Sequence, residues 1–447
     1  MPEFPEERGA PGTCFLAILP FHQHFRPGDG VEIVHRFRAQ ERPVQVLLIN
    51  DLTIFLSFFM LFPYLATYFT ETLGFPAWVV GVILGVRVFC QQGLTILGGT
   101  LADQIGFKPV IIAGLLLRTV GFFLFGVTSS VLGVLLAAVL TGLAGALFSP
   151  ALRAYLAAET PHRRAEVFAL DNVFAQVGTL LGPLLGVLLL SASFQLLCLV
   201  AAGLFFALGV LQVFSLPPRG GELGSQSVFQ SWREVFANRA FLLYSLSMLG
   251  TFTLFNQLYI GLPLEVRRLT GSDAFTSAIF LVSSLLTLGG QLRVTAALQA
   301  RWGEARPLPW GVLLMGLAFL PLLVGSFFLP LAGGPVALVV NVLPVLLTTV
   351  ILTLGTLVVR PFQMALIPVL ANDRLLGTYT GVFWMWSGVG ATVGNFLVGL
   401  AFDAQRTSGL VALPWALLVT LGVLSALSIW LVLRSEPLAQ AVSSESG

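Results

Sequence analysis

Val131-Leu-Gly-Val-Leu-Leu-Ala-Ala-Val-Leu-Thr-Gly-Leu-Ala-Gly-Ala-Leu-Phe-Ser-Pro150 runs for twenty residues without one charge. At the rise of an α-helix, about 20 apolar residues cross the hydrocarbon core of a bilayer. In lipid the backbone must satisfy its own hydrogen bonds, and a helix does so within one segment. The stretch therefore reads as a membrane span. Working outward, the same reading recurs at 46–71, 78–99, 109–128, 131–156, 167–190 and 193–215, then at 240–262, 273–297, 309–329, 335–359, 376–401 and 412–433. A polar connector, 216–239, interrupts the series and carries Pro217, Pro218, Arg219, Gly220, Gly221 and Glu222. The expected fold is an all-α membrane protein with twelve transmembrane helices in two pseudo-symmetric halves, 46–215 and 240–434. Residues 1–45 read as a polar, disordered tail and 435–447 as a second tail.

Composition agrees. Hydrophobic residues make up 56% of the 447, and charged residues 10%, against about 25% in a soluble domain. A net charge of +2 gives no footprint for nucleic acid. Cys14, Cys90 and Cys198 form neither a disulfide framework nor a metal cluster. His22 and His24 lack the further ligands a metal site needs, so no metal or cofactor is expected. With the N-terminus inside, the inner segments hold fifteen Lys and Arg and the outer loops three: Arg267, Arg268 and Arg406. Removing the five in the N-terminal tail leaves ten against three, so both termini are expected on the cytoplasmic side.

The halves repeat. Ser149-Pro150 and Arg360-Pro361 each read as a proline-containing end of a span, followed by an inner-loop arginine (Arg163, Arg374) and a span with Gly-x-x-x-Gly. Those glycines are Gly178 and Gly182 in one half, Gly390 and Gly394 in the other. Parallel repeats about an axis along the membrane normal give this pattern.

Two segments carry mechanism. Gly99-Thr-Leu-Ala-Asp103-Gln-Ile-Gly106-Phe-Lys108-Pro109 makes a tight turn between spans 2 and 3. Gly99 and Gly106 permit close approach and positive φ. Asp103 suits a helix start, and Lys108 a carboxylate or anionic lipid. Gly178-Thr-Leu-Leu-Gly182-Pro183-Leu-Leu-Gly186 combines small residues for close helix packing with a bend at Pro183, and reads as a pivot. The first resembles the signature loop of major facilitator transporters, departing from it at Phe107, where an arginine is usual. The second resembles the antiporter signature of their drug:proton branch. Leu47-Leu-Ile-Asn50-Asp51, Phe58-Phe-Met-Leu-Phe62-Pro63, Gly85-Val-Arg87-Val-Phe-Cys-Gln91-Gln92-Gly93 and Gly142-Leu-Ala-Gly145-Ala-Leu-Phe148-Ser-Pro150 extend the likeness over most of 46–434. An arginine often found in span 4 of that branch is absent: Ala138 stands there, four residues before Gly142.

Charges inside spans are costly and mark function. Arg87 and Arg118 fall near mid-span. Asp51, nearer the cytoplasmic edge, is the one carboxylate clearly inside a span by this reading, with Glu71 and Asp171 at span ends. Asp51, Arg87 and Arg118 are the proton-coupling candidates. The other reading of Asp51 is an anchor for span 1, and of the two arginines, structural bonds to backbone carbonyls. Arg153, Arg293 and Arg360 read as gating or anchoring groups at inner span ends. Asn50, Phe55, Phe58, Gln91, Gln92, Asn256, Gln257 and Trp384 are the cavity candidates, with Asn341 and Asn395 also polar within spans. Such a cavity suits a hydrophobic or amphipathic solute. The resemblance implies a bacterial inner-membrane exporter of such compounds, working by alternating access in exchange for protons, surrounded by lipid and functional as a monomer. An importer of a metabolite on the same fold is the alternative. A non-transporting sensor is more remote, since neither tail nor connector could hold an output domain. No enzyme motif is present.

Overall fold

The structure, a computed structural model, describes residues 29–220, 227–270, 275–328, 331 and 334–434. Regular structure among these residues is helical throughout. A short helix, α1 (Asp29–Arg38), precedes α2 (Arg42–Thr67), which a π-turn at Tyr68–Thr72 extends. The second crossing is α3 (Ala77–Gly93) with α4 (Thr95–Ile105), bent by 42° between them. The first half closes with α5 (Phe107–Val127), α6 (Val131–Glu159), α7 (Arg164–Leu190) and α8 (Phe194–Ser215). The connector forms α9 (Val228–Ala237).

The second half opens with a crossing broken into α10 (Arg239–Ser247), α11 (Leu249–Asn256) and α12 (Gly261–Thr270). Then come α13 (Thr276–Trp302), α14 (Pro307–Leu317) with α15 (Leu320–Gly325), α16 (Gly334–Leu370), α17 (Leu376–Ser408) and α18 (Leu413–Arg434). Ten of these stretches are long and apolar enough to span a membrane, and the bent α3–α4 pair is an eleventh. The broken run α10–α12 completes twelve.

The expected tail shortens from its C-terminal side: α2 begins at Arg42, with proline in its first turn, where the missing N–H costs nothing. Residues 1–28, with Cys14, His22 and His24, lie outside the described residues, as do 221–226 and 435–447. The outer surface is apolar, with Leu132, Phe214 and Val336 each more than three-quarters exposed. The interior gathers the polar groups, which is the distribution lipid demands.

The repeat is visible in packing. Cβ atoms added to Gly178, Gly182 and Gly186 would strike Leu52–Met60 of α2, and ones added to Gly390 and Gly394 would strike Leu249 and Thr253 of α11. The fifth helix of each half thus rests on the first. Pro150 and Pro361 do not end their helices as expected. Each is followed by nine more helical residues, to Glu159 and Leu370. Pro361 has no N–H for the Leu357 carbonyl four residues back, and the Gln291 amide fills the gap at 2.9 Å. A helix can therefore run through this proline because a neighbouring helix supplies the donor.

Candidate functional site

Two chambers of about 230 and 200 Å³ meet at the centre of the bundle. Gln92, Arg360 and Trp384 line both. The first-half chamber adds Asp51, Phe55, Phe58, Gln91, Arg118 and Arg153. The second-half chamber adds Phe252, Phe255, Asn256 and Gln363. A narrower cleft joins Asp51, Arg153, Asp171, Asn172 and Arg360.

Asp51 lies deeper than the apolar run suggested. Helix α2 starts at Arg42, so Asp51 stands roughly 14 Å along it at the helical rise, with 1% of its surface exposed. Asp171, expected at a watered span end, is 6% exposed, because α7 starts earlier too and turns this side chain inward. The two carboxyls line the same narrow cleft. Asp51 Oδ2 and Asp171 Oδ1 receive no bond from an N–H or hydroxyl donor.

Arg153 and Arg360 face this pair instead of sitting at span ends, since α6 and α16 run on beyond them. Arg360 Nη1 donates to Asn172 Oδ1 at 2.9 Å, and Asn172 Nδ2 to Gln291 Oε1 at 2.6 Å. That chain ties α16, α7 and α13 together. Gln176 adds a bond to Ser284.

On the connector face the halves are shut. Asp103, at the end of α4, accepts from the Gly377 and Thr378 N–H groups and the Thr378 hydroxyl at 2.8, 2.7 and 2.7 Å. It caps the N-terminus of α17 from the opposite half. A Cβ at Gly99 would collide with the Gly377 carbonyl, and one at Gly381 would approach Thr95 O at 2.5 Å. Buried Arg164 pairs with Asp373. In the same loop Asn372, Asp373 and Leu375 have positive φ.

The family profile of the Major Facilitator Superfamily matches residues 47–395. The chain belongs to the Major Facilitator Superfamily. It is 41% identical over 393 residues to an uncharacterised MFS-type transporter of Mycobacterium tuberculosis, covering 87% of this chain and 93% of that one. It is 31% identical over 392 residues to the multidrug resistance protein MdtH of Klebsiella pneumoniae, covering 86% and 92%. The crystal structure of the human organic anion transporter MFSD10 has the same fold, with a TM-score of 0.65 at 19% identity, covering 88% of this chain and 99% of that one. The protein is a membrane transporter and not an enzyme.

In this facilitator the signature loop departs from the family pattern with a local substitute. Phe107, in the arginine's place, is buried 5.9 Å from the Tyr155 ring. The connector passes over it. Phe107 N–H donates to Arg219 O at 2.9 Å, Tyr155 Oη to Pro217 O at 2.6 Å, and Arg219 Nε to Glu159 Oε1 at 2.8 Å. Gly106, at φ 97°, makes the turn. Among the described residues Lys108 pairs with no carboxylate: its Nζ donates to the Val213 carbonyl at 2.8 Å, near the end of α8.

Gly178, Gly182 and Gly186 pack α7 against α2 within the first half, with the Pro183 carbonyl accepting from Tyr64 Oη at 3.1 Å. Several expectations need correction. Arg87 does not line the chambers: it bonds Gln91 Oε1 at 2.7 Å and lies 4.3 Å over the Phe62 ring. Arg118 does line the first, stacked 4.6 Å from Phe148 with Nη2 3.4 Å from Thr141 O. Its guanidinium meets Gly145, so α5 brings an arginine to the α6 wall where span 4 lacks its own. Asn50 is buried but lines neither chamber. Gln257 lies behind the wall, bonded to Thr253 O and Asn395. Asn341 holds Leu331 and Leu269 backbone instead. Asp171, Arg153 and Arg360 were named in the sequence but placed at span ends, whereas they line the central cleft. Their signal was the distance of each charge from the next helix break, which the apolar-run boundaries understated.

Proposed function

We propose that this facilitator exports hydrophobic or amphipathic, drug-like solutes across a bacterial cytoplasmic membrane in exchange for protons, acting as a monomer with both termini inside. The observation that carries this reading is the pair of buried carboxyls, Asp51 and Asp171, lining one cleft of the central cavity. A pair of buried carboxyls beside a solute chamber is the group an exchanger needs: it takes up a proton in one state and releases it in another. The aromatic walls and the MdtH relatives, named for multidrug resistance, support the solute class. The two halves rock about the cavity, and the Asp103 clasp latches the cytoplasmic side while the cavity is open or occluded outward.

The test is proton movement when candidate amphipaths are added to purified protein in detergent. Exchange predicts release in wild type and its loss in both Asp51→Asn and Asp171→Asn. Release that persists in both variants sinks the carboxyl pair as the switch. A second reading, proton-linked movement in the same direction, is favoured by the three arginines of the cavity. An anion held by them draws a proton onto the pair instead of displacing it. Proton uptake on ligand addition would select that reading.

A further inference from the structure

The central cavity is richer in donors than a purely apolar cargo requires. Arg118, Arg153 and Arg360 all line it. Among the described residues none of the three has a carboxylate within 4.0 Å. Arg153 has one long bond, 3.4 Å to Ser149 O, and its guanidinium lies 5.1 Å from the Trp384 ring. Arg360 uses Nη1 on Asn172 and stacks 4.5 Å over Phe255. The indole Nε1–H of Trp384 is buried with no acceptor, on a side chain that lines both chambers and the cleft. A buried donor without an acceptor is costly, and Arg153, Arg360 and Trp384 all line one space.

We propose that Arg153, Arg360 and Trp384 Nε1 form a subsite for an anionic group, so that the transported solutes are amphipathic acids. The guanidinium forks match a carboxylate or sulfonate. The apolar part of the solute lies against Phe55 and Phe58 on one side or Phe252 and Phe255 on the other. The subsite rests on the cavity being the transport site, and an anion held there favours the second reading, in which proton and solute move together.

The probes are 1-naphthoate, ionised at neutral pH, and its neutral isostere 1-naphthamide, measured by calorimetry on the full chain in detergent. Wild type is expected to bind the acid at least about tenfold more tightly than the amide, the scale of one charge-assisted pair. Arg360→Gln and Arg153→Gln each remove about tenfold of acid affinity, and Trp384→Phe about threefold, with amide binding kept. Retained amide binding also reports that the variants are folded. Equal binding of acid and amide by wild type, no binding of the acid, or acid affinity unchanged in both arginine variants overturns the subsite. Naphthoate that binds in the expected pattern but is not carried into vesicles keeps the subsite and refutes the transport reading.

Discussion

Asp103 accepts three hydrogen bonds from one helix start in the opposite half. A carboxylate there matches both the free N–H groups and the dipole of α17. Asp103→Asn keeps one acceptor oxygen and turns an NH₂ toward donors. The loss of a charged acceptor, roughly 1.5–3 kcal/mol, shifts the equilibrium about 10- to 100-fold toward opening of the connector face. Distances between spin labels on the two halves at that face check it, and an unshifted distribution would refute the clasp. The residue type and the two glycines were readable from the sequence, because a tight turn restricts what can stand there. The partner was not: Gly377 lies 274 positions away, and nothing local announces it. Asp171 was misread for a related reason. Hydropathy marks where apolar residues begin, whereas α7 starts at Arg164 with polar side chains turned into protein.

Among elements, the connector carries more than a link. Helix α9 puts Trp232 Nε1 on Thr100 Oγ1 at 2.8 Å, and Thr100 touches the Thr378 hydroxyl across the halves at 3.3 Å. Glu234 faces Arg374 at 3.4 Å, an exposed pair worth little on its own. Trp232→Phe keeps an aromatic side chain and removes one neutral bond, so the same labels should report a shift of about two- to tenfold toward opening. The seam of α7 on α2 behaves differently. Gly182→Val forces a side chain into Phe59 and the Leu56 carbonyl, costing about 1–3 kcal/mol of fold stability. That appears as a lower unfolding temperature in detergent with the label distances unchanged. A changed opening equilibrium at normal stability would favour the pivot instead. The glycine spacing was legible as tight packing; which helix it packs on was not, since small residues fit any close neighbour.

At the scale of the molecule, two six-helix units were legible because twelve apolar runs and a polar connector leave few other arrangements. The internal repeat gave their symmetry. The cavity was only partly legible. Phe55, Phe58, Gln91, Gln92, Asn256 and Trp384 line it, but Asn50 and Gln257 point elsewhere, as polar residues inside spans also serve to hold helices together. The closed connector face and the central chambers fit alternation between two rigid units. Under the proposed alternation, motion would leave the α2–α7 and α11–α17 seams intact and break the α4–α17 contact.

Under the proposed exchange, the Asp51–Asp171 pair couples protons to solute movement through this cavity. The most direct measurement of that coupling is flux in vesicles loaded with a fluorescent amphipath, with a pH jump imposed across the membrane, comparing wild type with Asp51→Asn and Asp171→Asn. The account predicts that a gradient with acid outside accelerates export by wild type at least about tenfold, and that either variant abolishes the acceleration while passive exchange of solute remains. Export by wild type that ignores the gradient, or acceleration that survives in both variants, would contradict it.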